Sequence, residues 1–353
     1  MLITDTPIPG PRPRPQNPSS RVVMYTSFYK LRAEPFLLTP DERFYFESSV
    51  HSQAMAHLTY GLKRGEGFIV ITGDVGAGKT TLVKRLIATI DPSKIVAAHV
   101  VTTLLSGHDL LRMVAAAFGL RDLPFDKSGL LLRLQEFFDA THRQGRRALL
   151  IVDEAQNLSE SALEELRMLS NFQVQNAAPF QSFLVGQPQF RRIIANPDLE
   201  QLRQRVIASY HLGPLNSLES GNYVLHRLKQ VGWTGDPSFP MSAIGAIHQH
   251  TGGIPRRINT LGNRLMILGY LDELHAFSAD DVNRVAADLA NENEVTDAAS
   301  EADPAAASGQ GAKQTVLSRL DNIEERLTKQ EAFTRRAGSV IQQFLNLVSS
   351  DTR

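Results

Sequence analysis

The sequence predicts a five-strand α/β domain followed by a small helical domain. Short apolar runs rich in β-branched residues alternate with helical stretches in the first part of the chain. Such runs are typical of parallel strands that helices cover on both faces. From Ser217 to Leu289 the pattern is helical only, interrupted by glycines. The predicted strands are residues 67–72, 94–101, 148–152, 180–185 and 205–212.

The composition limits the classes of protein to which the chain can belong. Hydrophobic residues make up 42% and charged residues 21% of 353 residues, which excludes a wholly disordered, collagen-like or coiled-coil chain. The 37 basic residues balance the 37 acidic ones, so no global field attracts nucleic acid or anionic membrane. There is no cysteine and no apolar run of roughly 18 residues. We therefore expect no disulfide or transmembrane segment, and a cytoplasmic location, with a peripheral position at the inner membrane left open.

Composition also divides the chain into five segments. A proline-rich start predicts a disordered arm, with Met24 as an alternative first residue. A small, acidic stretch predicts a flexible linker. Apolar residues spaced by three and four after it predict an amphipathic helix or helix pair, which must bury its stripe on this protein or on a partner. The predicted segments are the arm (1–23), the α/β body (24–215), the helical lid (216–290), the linker (291–313) and the helical tail (314–353).

A glycine-rich turn follows the first predicted strand. It reads GDVGAGKT and matches the phosphate-binding pattern GxxxxGK[ST] between a strand and a helix. The glycines let the backbone wrap an anion, successive N–H groups face the phosphates, and Lys79 adds a charge at the β and γ positions. Thr80 offers its hydroxyl to Mg²⁺. The predicted nucleotide-binding residues are Gly73, Asp74, Val75, Gly76, Ala77, Gly78, Lys79, Thr80 and Thr81.

Two acidic residues end the third predicted strand, in the run ALLIVDE. The four large apolar residues of this run favour a buried strand whose carboxyl end carries both carboxylates beside the nucleotide. Asp153 is predicted to hold Mg²⁺ through water, and Glu154 to polarise the water that attacks the γ-phosphoryl group. Because phosphoryl transfer depends mostly on positioning and charge stabilisation, these acids with Lys79 and Mg²⁺ predict an ATPase.

Longer stretches extend the comparison beyond these two motifs. They are LLIVDEAQNL (149–158), LVGQPQF (184–190), LRQRVIASYHLGPL (202–215) and GGIPRRINTLGNRL (252–265). Together with the glycine-rich loop they resemble the AAA+ ATPases. Within that class the chain looks like the general secretion pathway ATPase family of the ExeA/GspA type. It is most similar to the secretion ATPase associated with exosortase (XrtA) and PEP-CTERM exopolysaccharide loci. The resemblance covers residues 24–289.

The resemblance implies roles for three more side chains. Gln187 occupies the sensor-1 position, where an amide reaches the γ-phosphate or the attacking water. Arg205 matches the arginine finger that a neighbouring subunit inserts, with Arg203 as the alternative. Arg256 matches sensor 2, at the start of a lid helix. A finger that serves the next subunit implies self-association into a ring or filament. The predicted catalytic residues are Lys79, Glu154, Gln187, Arg205 and Arg256.

Three functions and one structural question remain open at this point. The chain could drive or switch secretion or exopolysaccharide export, with its C-terminal helix on a membrane-associated partner. It could be a DNA-dependent regulator of the transposition type, although it has no basic tail, or a nucleotide-gated scaffold with slow hydrolysis. Pro35-Phe36 and Phe44-Tyr45-Phe46 line an adenine pocket or pack in the core.

Overall fold

The computed structural model describes residues 22–39, 41–101, 106–174 and 177–300. The described residues before Ala290 form one compact unit. The predicted arm lies outside them except for residues 22–23, which begin a helix. The predicted tail at 314–353 also lies outside them, as do residues 301–313 of the predicted linker. In the described part of the chain, no helix combines the length and apolarity needed to cross a bilayer.

The five predicted strands form one parallel sheet, which confirms the predicted fold class. The order across the sheet is β2-β3-β4-β1-β5, and every neighbouring pair is parallel. β4 therefore lies between β1 and β3. The strand bounds are β1 (Phe68–Gly73), β2 (Ile95–Val101), β3 (Arg147–Asp153), β4 (Phe180–Gly186) and β5 (Val206–Leu212).

The sheet is apolar on both faces because helices cover both. Side chains alternate between the faces of a strand. In β1, Phe68 and Val70 pack into one hydrophobic cluster, whereas Ile69 and Ile71 pack into another. All residues of β1 are buried, whereas the edge strand β5 leaves Ser209 and His211 exposed. This pattern explains why the central strands are continuous apolar runs in the sequence.

Twelve α-helices lie within the described ranges, and several begin at a side-chain cap. Ser48, Ser106, Asp126 and Ser159 each accept a hydrogen bond from a backbone N–H in the first turn, which satisfies a donor that has no partner within the helix. The helices are α1 (Val22–Phe28), α2 (Ser49–Arg64), α3 (Lys79–Thr89), α4 (Gly107–Ala117), α5 (Lys127–Arg143), α6 (Glu160–Leu169), α7 (Gln189–Ile194), α8 (Glu200–Arg203), α9 (Ser217–Gln230), α10 (Met241–Thr251), α11 (Pro255–Leu271) and α12 (Ala279–Ser300).

The N-terminal segment packs with the helical part of the chain. The Tyr25 hydroxyl donates to Asn263 Oδ1 at 3.1 Å, and the Tyr29 hydroxyl donates to the Leu274 carbonyl at 2.8 Å. Phe36 is 2% exposed and belongs to the same hydrophobic cluster as α9–α11. Aromatic residues of the segment thus complete the core of the helical part, although they precede the sheet in the sequence.

Helix α12 extends into the segment that was predicted to be a linker. It continues to Ser300, whereas the predicted linker begins at Asn291. The structure therefore differs from the prediction over residues 291–300. These residues include alanine and glutamate, which favour helix, and the first proline after them is Pro304. For residues 291–300, the absence of a helix-breaking residue therefore predicts the structure better than the acidic, small-residue composition does.

Candidate nucleotide-binding site

The glycine-rich loop joins the end of β1 to the start of α3. Gly76 and Gly78 have φ of 84° and 102°, a left-handed conformation that glycine adopts without steric cost. Neighbouring residues also press on both glycines. A Cβ on Gly78 would lie 2.6 Å from His51 Nε2, and a Cβ on Gly76 would overlap the Arg256 side chain. The loop therefore forms a tight turn that ends at the N-terminus of α3.

Lys79 closes this loop from within. Its side chain is 6% exposed, and Nζ donates to the carbonyls of Gly73 and Asp74 at 2.7 and 2.9 Å. Burial lowers the pKa of Lys79, while the nearby Glu154 and Asp153 carboxylates oppose this effect. The ammonium is thus held where a phosphate oxygen, a stronger acceptor than a carbonyl, could bind it.

The end of β3 meets the start of α3 at Asp153 and Thr80. The Thr80 hydroxyl donates to Asp153 Oδ2 at 2.9 Å, and Asp153 is 3% exposed. The other carboxylate oxygen accepts the N–H of Glu154 at 2.9 Å. A hydroxyl beside a carboxylate is the hard oxygen donor set that suits Mg²⁺, so these two residues fit the implied metal.

Two amides hold the Glu154 carboxylate. Gln156 Nε2 donates to Glu154 Oε2 at 2.5 Å, and Gln187 Nε2 donates to the same oxygen at 3.2 Å. Gln187 N in turn donates to Gln156 Oε1 at 2.9 Å. Glu154 itself has a φ of 56°, which is uncommon for a residue with a side chain. The structure thus brings the predicted Gln187 to Glu154 and adds Gln156.

The loop, α2 and the helical part enclose a cavity of about 320 Å³. Phe44, Tyr45 and Phe46 line this cavity, whereas Phe36 packs against Gly262 in the helical core. Phe44 also belongs to that core and Phe46 packs against it, so these two residues both line the cavity and pack in the core, whereas Phe36 is a core residue. The predicted site residues that line the cavity are Val75, Gly76, Gly78, Lys79, Thr80, Thr81, Glu154 and Arg256.

Arg227 also lines the cavity, and it was not predicted from the sequence. It is 5% exposed and lies 4.2 Å from the centre of the Phe44 ring. Its Nε donates to the Pro35 carbonyl at 2.6 Å and one terminal nitrogen to the Leu37 carbonyl at 2.8 Å. These contacts attach the segment before α2 to α9. The residue lies in a helix with no local motif, so the sequence carries no signal for it.

The structure separates the three predicted arginines. Arg256 lies in the first turn of α11 beside the loop, and its backbone N–H donates to the Gly76 carbonyl at 3.2 Å. Arg205 does not line the cavity, and its guanidinium donates to the Ser170 carbonyl at 2.9 Å. Its own carbonyl accepts the N–H of Phe68, at the end of β1 away from the loop. Arg203 is exposed and lies 3.8 Å from Glu200.

No described residues form a cluster of three or more histidine and acidic side chains suited to another metal. Lys79, Thr80, Asp153, Glu154, Gln187 and Arg256 converge at the loop, and Arg205 does not. Fold and loop together define the class: the chain has the fold of the P-loop ATPases of the AAA+ type. Residues 62–194 match the AAA domain family.

A curated relative narrows the comparison. The chain is 36% identical over 267 residues to general secretion pathway protein A of Aeromonas hydrophila, across 74% of this chain and 48% of the relative. The chain thus spans about half the length of that relative. The AAA domain of this chain is related to the part that it spans. The ORC2 protein of Aeropyrum pernix in its ADP form is 18% identical, with a TM-score of 0.54 over 71% of this chain and 73% of that chain. Cdc6p of Pyrobaculum aerophilum is 17% identical, with a TM-score of 0.54 over 70% of each chain. Both structures are similar in fold.

Proposed function

We propose that this chain is a Mg²⁺-dependent ATPase that works as an oligomer and energises or switches a secretion or exopolysaccharide system of the cell envelope. The observation that carries the enzymatic part is the hydrogen bond between Thr80 and Asp153, 2.9 Å long, beside the buried Lys79. It joins the phosphate loop to an acidic strand end that comes from a distant part of the sequence. Glycine-rich turns alone do not have this second element.

Each residue of the site has a separate role in the proposed reaction. The loop amides and Lys79 bind the phosphates of ATP and orient the γ-phosphoryl group. Thr80 and Asp153 hold Mg²⁺, which neutralises charge on the phosphate oxygens when bound. Glu154 orients the attacking water and accepts its proton. The amides of Gln156 and Gln187 keep the acceptor oxygen of Glu154 in place, and Arg256 senses the nucleotide from the lid.

The position of Arg205 supports a role in a neighbouring subunit. Its guanidinium is tied to Ser170, at the opposite end of β1 from the loop. A side chain so placed does not reach the cavity of its own subunit. We therefore assign the arginine finger to Arg205, acting in trans within a ring or filament, and keep Arg203 as the alternative.

The cellular part of the proposal rests on the relative. General secretion pathway protein A is named for secretion and shares 36% identity with this chain. We propose a cytoplasmic enzyme, peripheral at the inner membrane, whose residues 314–353 bind a membrane-associated partner. We further propose that the system is of the exosortase-associated PEP-CTERM type, which the longer sequence stretches resemble.

The enzymatic proposal is tested with Lys79→Ala. Loss of the ammonium should abolish nucleotide binding, measured with a fluorescent ATP analogue. Lys84→Ala is the matched control, because Lys84 is exposed on the same helix. Nucleotide binding by a folded Lys79→Ala variant at parental affinity would refute the phosphate-binding loop.

Turnover of the parent protein separates the other two functions. ATP hydrolysis is measured with and without duplex DNA, at low and at high salt. Strong stimulation by DNA that disappears at high salt would favour the DNA-dependent regulator. Tight ATP binding with negligible turnover under all conditions would favour the nucleotide-gated scaffold. The proposal expects DNA-independent turnover.

A further inference from the structure

His51 lies against the phosphate loop, in the first turn of α2. Its side chain is 6% exposed. Nε2 faces the loop, because a Cβ on Gly78 would lie only 2.6 Å from that atom. The ring also interacts with the Ala77 backbone. His51 is thus a side chain of α2 that supports the loop directly.

The hydrogen bonds around His51 are those expected of a neutral ring with its proton on Nε2. Ser48 Oγ accepts the backbone N–H of His51 at 3.3 Å as the cap of α2. The Ser48 hydroxyl can also donate its own proton to His51 Nδ1, which lies 2.7 Å away. With Nδ1 as acceptor, a neutral ring carries its proton on Nε2. Burial also lowers the pKa of His51, which favours the neutral ring.

A phosphate-binding loop needs donors for its own carbonyls. When successive N–H groups turn towards an anion, some of the carbonyls turn away from it. A buried carbonyl without a donor costs free energy. Lys79 donates to the carbonyls of Gly73 and Asp74, and the Ala77 N–H also donates to that of Asp74. Ala77 is 2% exposed, and the His51 ring interacts with its backbone.

The first turn of α2 is itself held by the helical part of the chain. Glu219 of α9 accepts the N–H of Ser49 at 2.7 Å with Oε1. Its Oε2 accepts the N–H of Asn216 at 3.2 Å, which completes the capping box of α9. One carboxylate therefore caps α9 and fixes the turn that carries His51.

We propose that His51 is a positioning residue, whose Nε2–H donates to the Ala77 carbonyl and holds the phosphate loop in its anion-binding form. The inference rests on the proposed nucleotide-binding function. His51 acts through the loop, so it controls the affinity for nucleotide more than the rate of the chemical step. Glu219 sets the position of His51 from α9.

The test compares His51→Leu, which removes the donor at similar volume, with His51→Gln, whose amide can donate from a similar position. His57→Leu is the matched control, because His57 lies on the same helix and is exposed. We expect His51→Leu to raise KM and Kd for ATP about tenfold, with kcat changed less than about threefold. His51→Gln and His57→Leu should stay close to the parent.

Three outcomes would overturn the inference. A folded His51→Leu variant with parental affinity would show that the donor is not needed. Equal losses in His51→Gln and His51→Leu would indicate packing rather than donation. A loss in kcat at unchanged KM would place the effect on chemistry. Lys79→Ala separates this result from the wider proposal: parental nucleotide affinity in that variant refutes the binding site itself, and the inference with it.

A measurement on the parent protein covers the case in which His51→Leu does not fold. Nitrogen-15 chemical shifts of the imidazole distinguish the two neutral tautomers and the charged ring. We expect the neutral Nε2–H form at about pH 7.5, well above the ordinary histidine pKa, and a shift of the His51 signals when ADP and Mg²⁺ are added. A proton on Nδ1, or a charged ring at that pH, would contradict the proposed hydrogen bond.

Discussion

At the scale of single residues, the arrangement around Glu154 is the most specific feature of the site. Its carboxylate accepts from Gln156 and from Gln187 at the same oxygen. Both donors are neutral amides, so they hydrogen-bond the carboxylate without forming a salt bridge. The acid, which lines the cavity, is thereby held in one orientation.

Replacing Gln156 should therefore impair chemistry rather than binding. We expect Gln156→Leu to lower kcat about tenfold at nearly unchanged KM, because Glu154 remains but loses an amide donor. Steady-state ATP hydrolysis checks this, with Gln135→Leu on the exposed face of α5 as control. A rise in KM at constant kcat would mean that Gln156 acts in binding.

Replacing the acid itself should separate binding from turnover. Glu154→Gln keeps the shape of the side chain but cannot accept the proton of water. We expect ATP affinity to be retained and turnover to fall at least about 100-fold. Glu66→Gln, an exposed change before β1, is the control. Full turnover in Glu154→Gln would remove the general base from the mechanism.

His51 also predicts the pH dependence of stability. Burial lowers its pKa in the folded chain, although the Glu219 carboxylate opposes the effect and the Tyr45 ring packs beside it. Below about pH 6.5, His51 is more protonated in the unfolded chain than in the folded chain. The free energy of unfolding therefore falls as pH falls. Urea unfolding at several pH values should give a weaker dependence for His51→Gln than for the parent. An identical dependence would show that His51 does not titrate on unfolding.

At the scale of elements, the phosphate loop combines a backbone requirement with a steric one. Gly78 has a left-handed φ and also touches His51. Gly119 has a similar φ of 82°, but a Cβ added there would meet nothing within 4 Å. The two glycines therefore allow the two requirements to be measured separately.

Alanine substitutions at these glycines should have different effects. Both Gly78→Ala and Gly119→Ala should lose about 1–2 kcal/mol of stability from the left-handed backbone alone. Only Gly78→Ala should also lose nucleotide binding, because its Cβ displaces His51 or the loop. Thermal unfolding and ATP titration measure the two effects. Parental binding by Gly78→Ala would mean that the loop tolerates the displacement.

At the scale of the whole molecule, the order of strands assembles the site. β4 lies between β1 and β3, so Lys79, Gln187 and Glu154 come from the carboxyl ends of three neighbouring strands. The carboxyl edge of a parallel sheet is where such ends meet. Arg205 precedes β5 at the opposite edge, which is the basis for the proposed finger in trans.

A mixing experiment tests this arrangement. Arg205→Ala subunits keep an intact acid, and Glu154→Gln subunits keep an intact finger. Each variant alone should be inactive, and mixed oligomers should recover part of the turnover, because one subunit supplies the group that the other lacks. Arg203→Ala is mixed in parallel to compare the two candidates. Absence of recovery in verified mixed oligomers would argue against a finger in trans at Arg205.

The local patterns of the sequence determined the five strands, the phosphate loop and the acidic strand end. These features depend on neighbours in the chain, such as apolar runs and glycines at fixed spacing. Strand order, the contact of His51 with Gly78, the Arg227–Phe44 pair and the amides on Glu154 were decided only by the tertiary structure. Each joins residues that other elements bring together, and the free energy that selects such contacts comes from burial over the whole core, which no local pattern records.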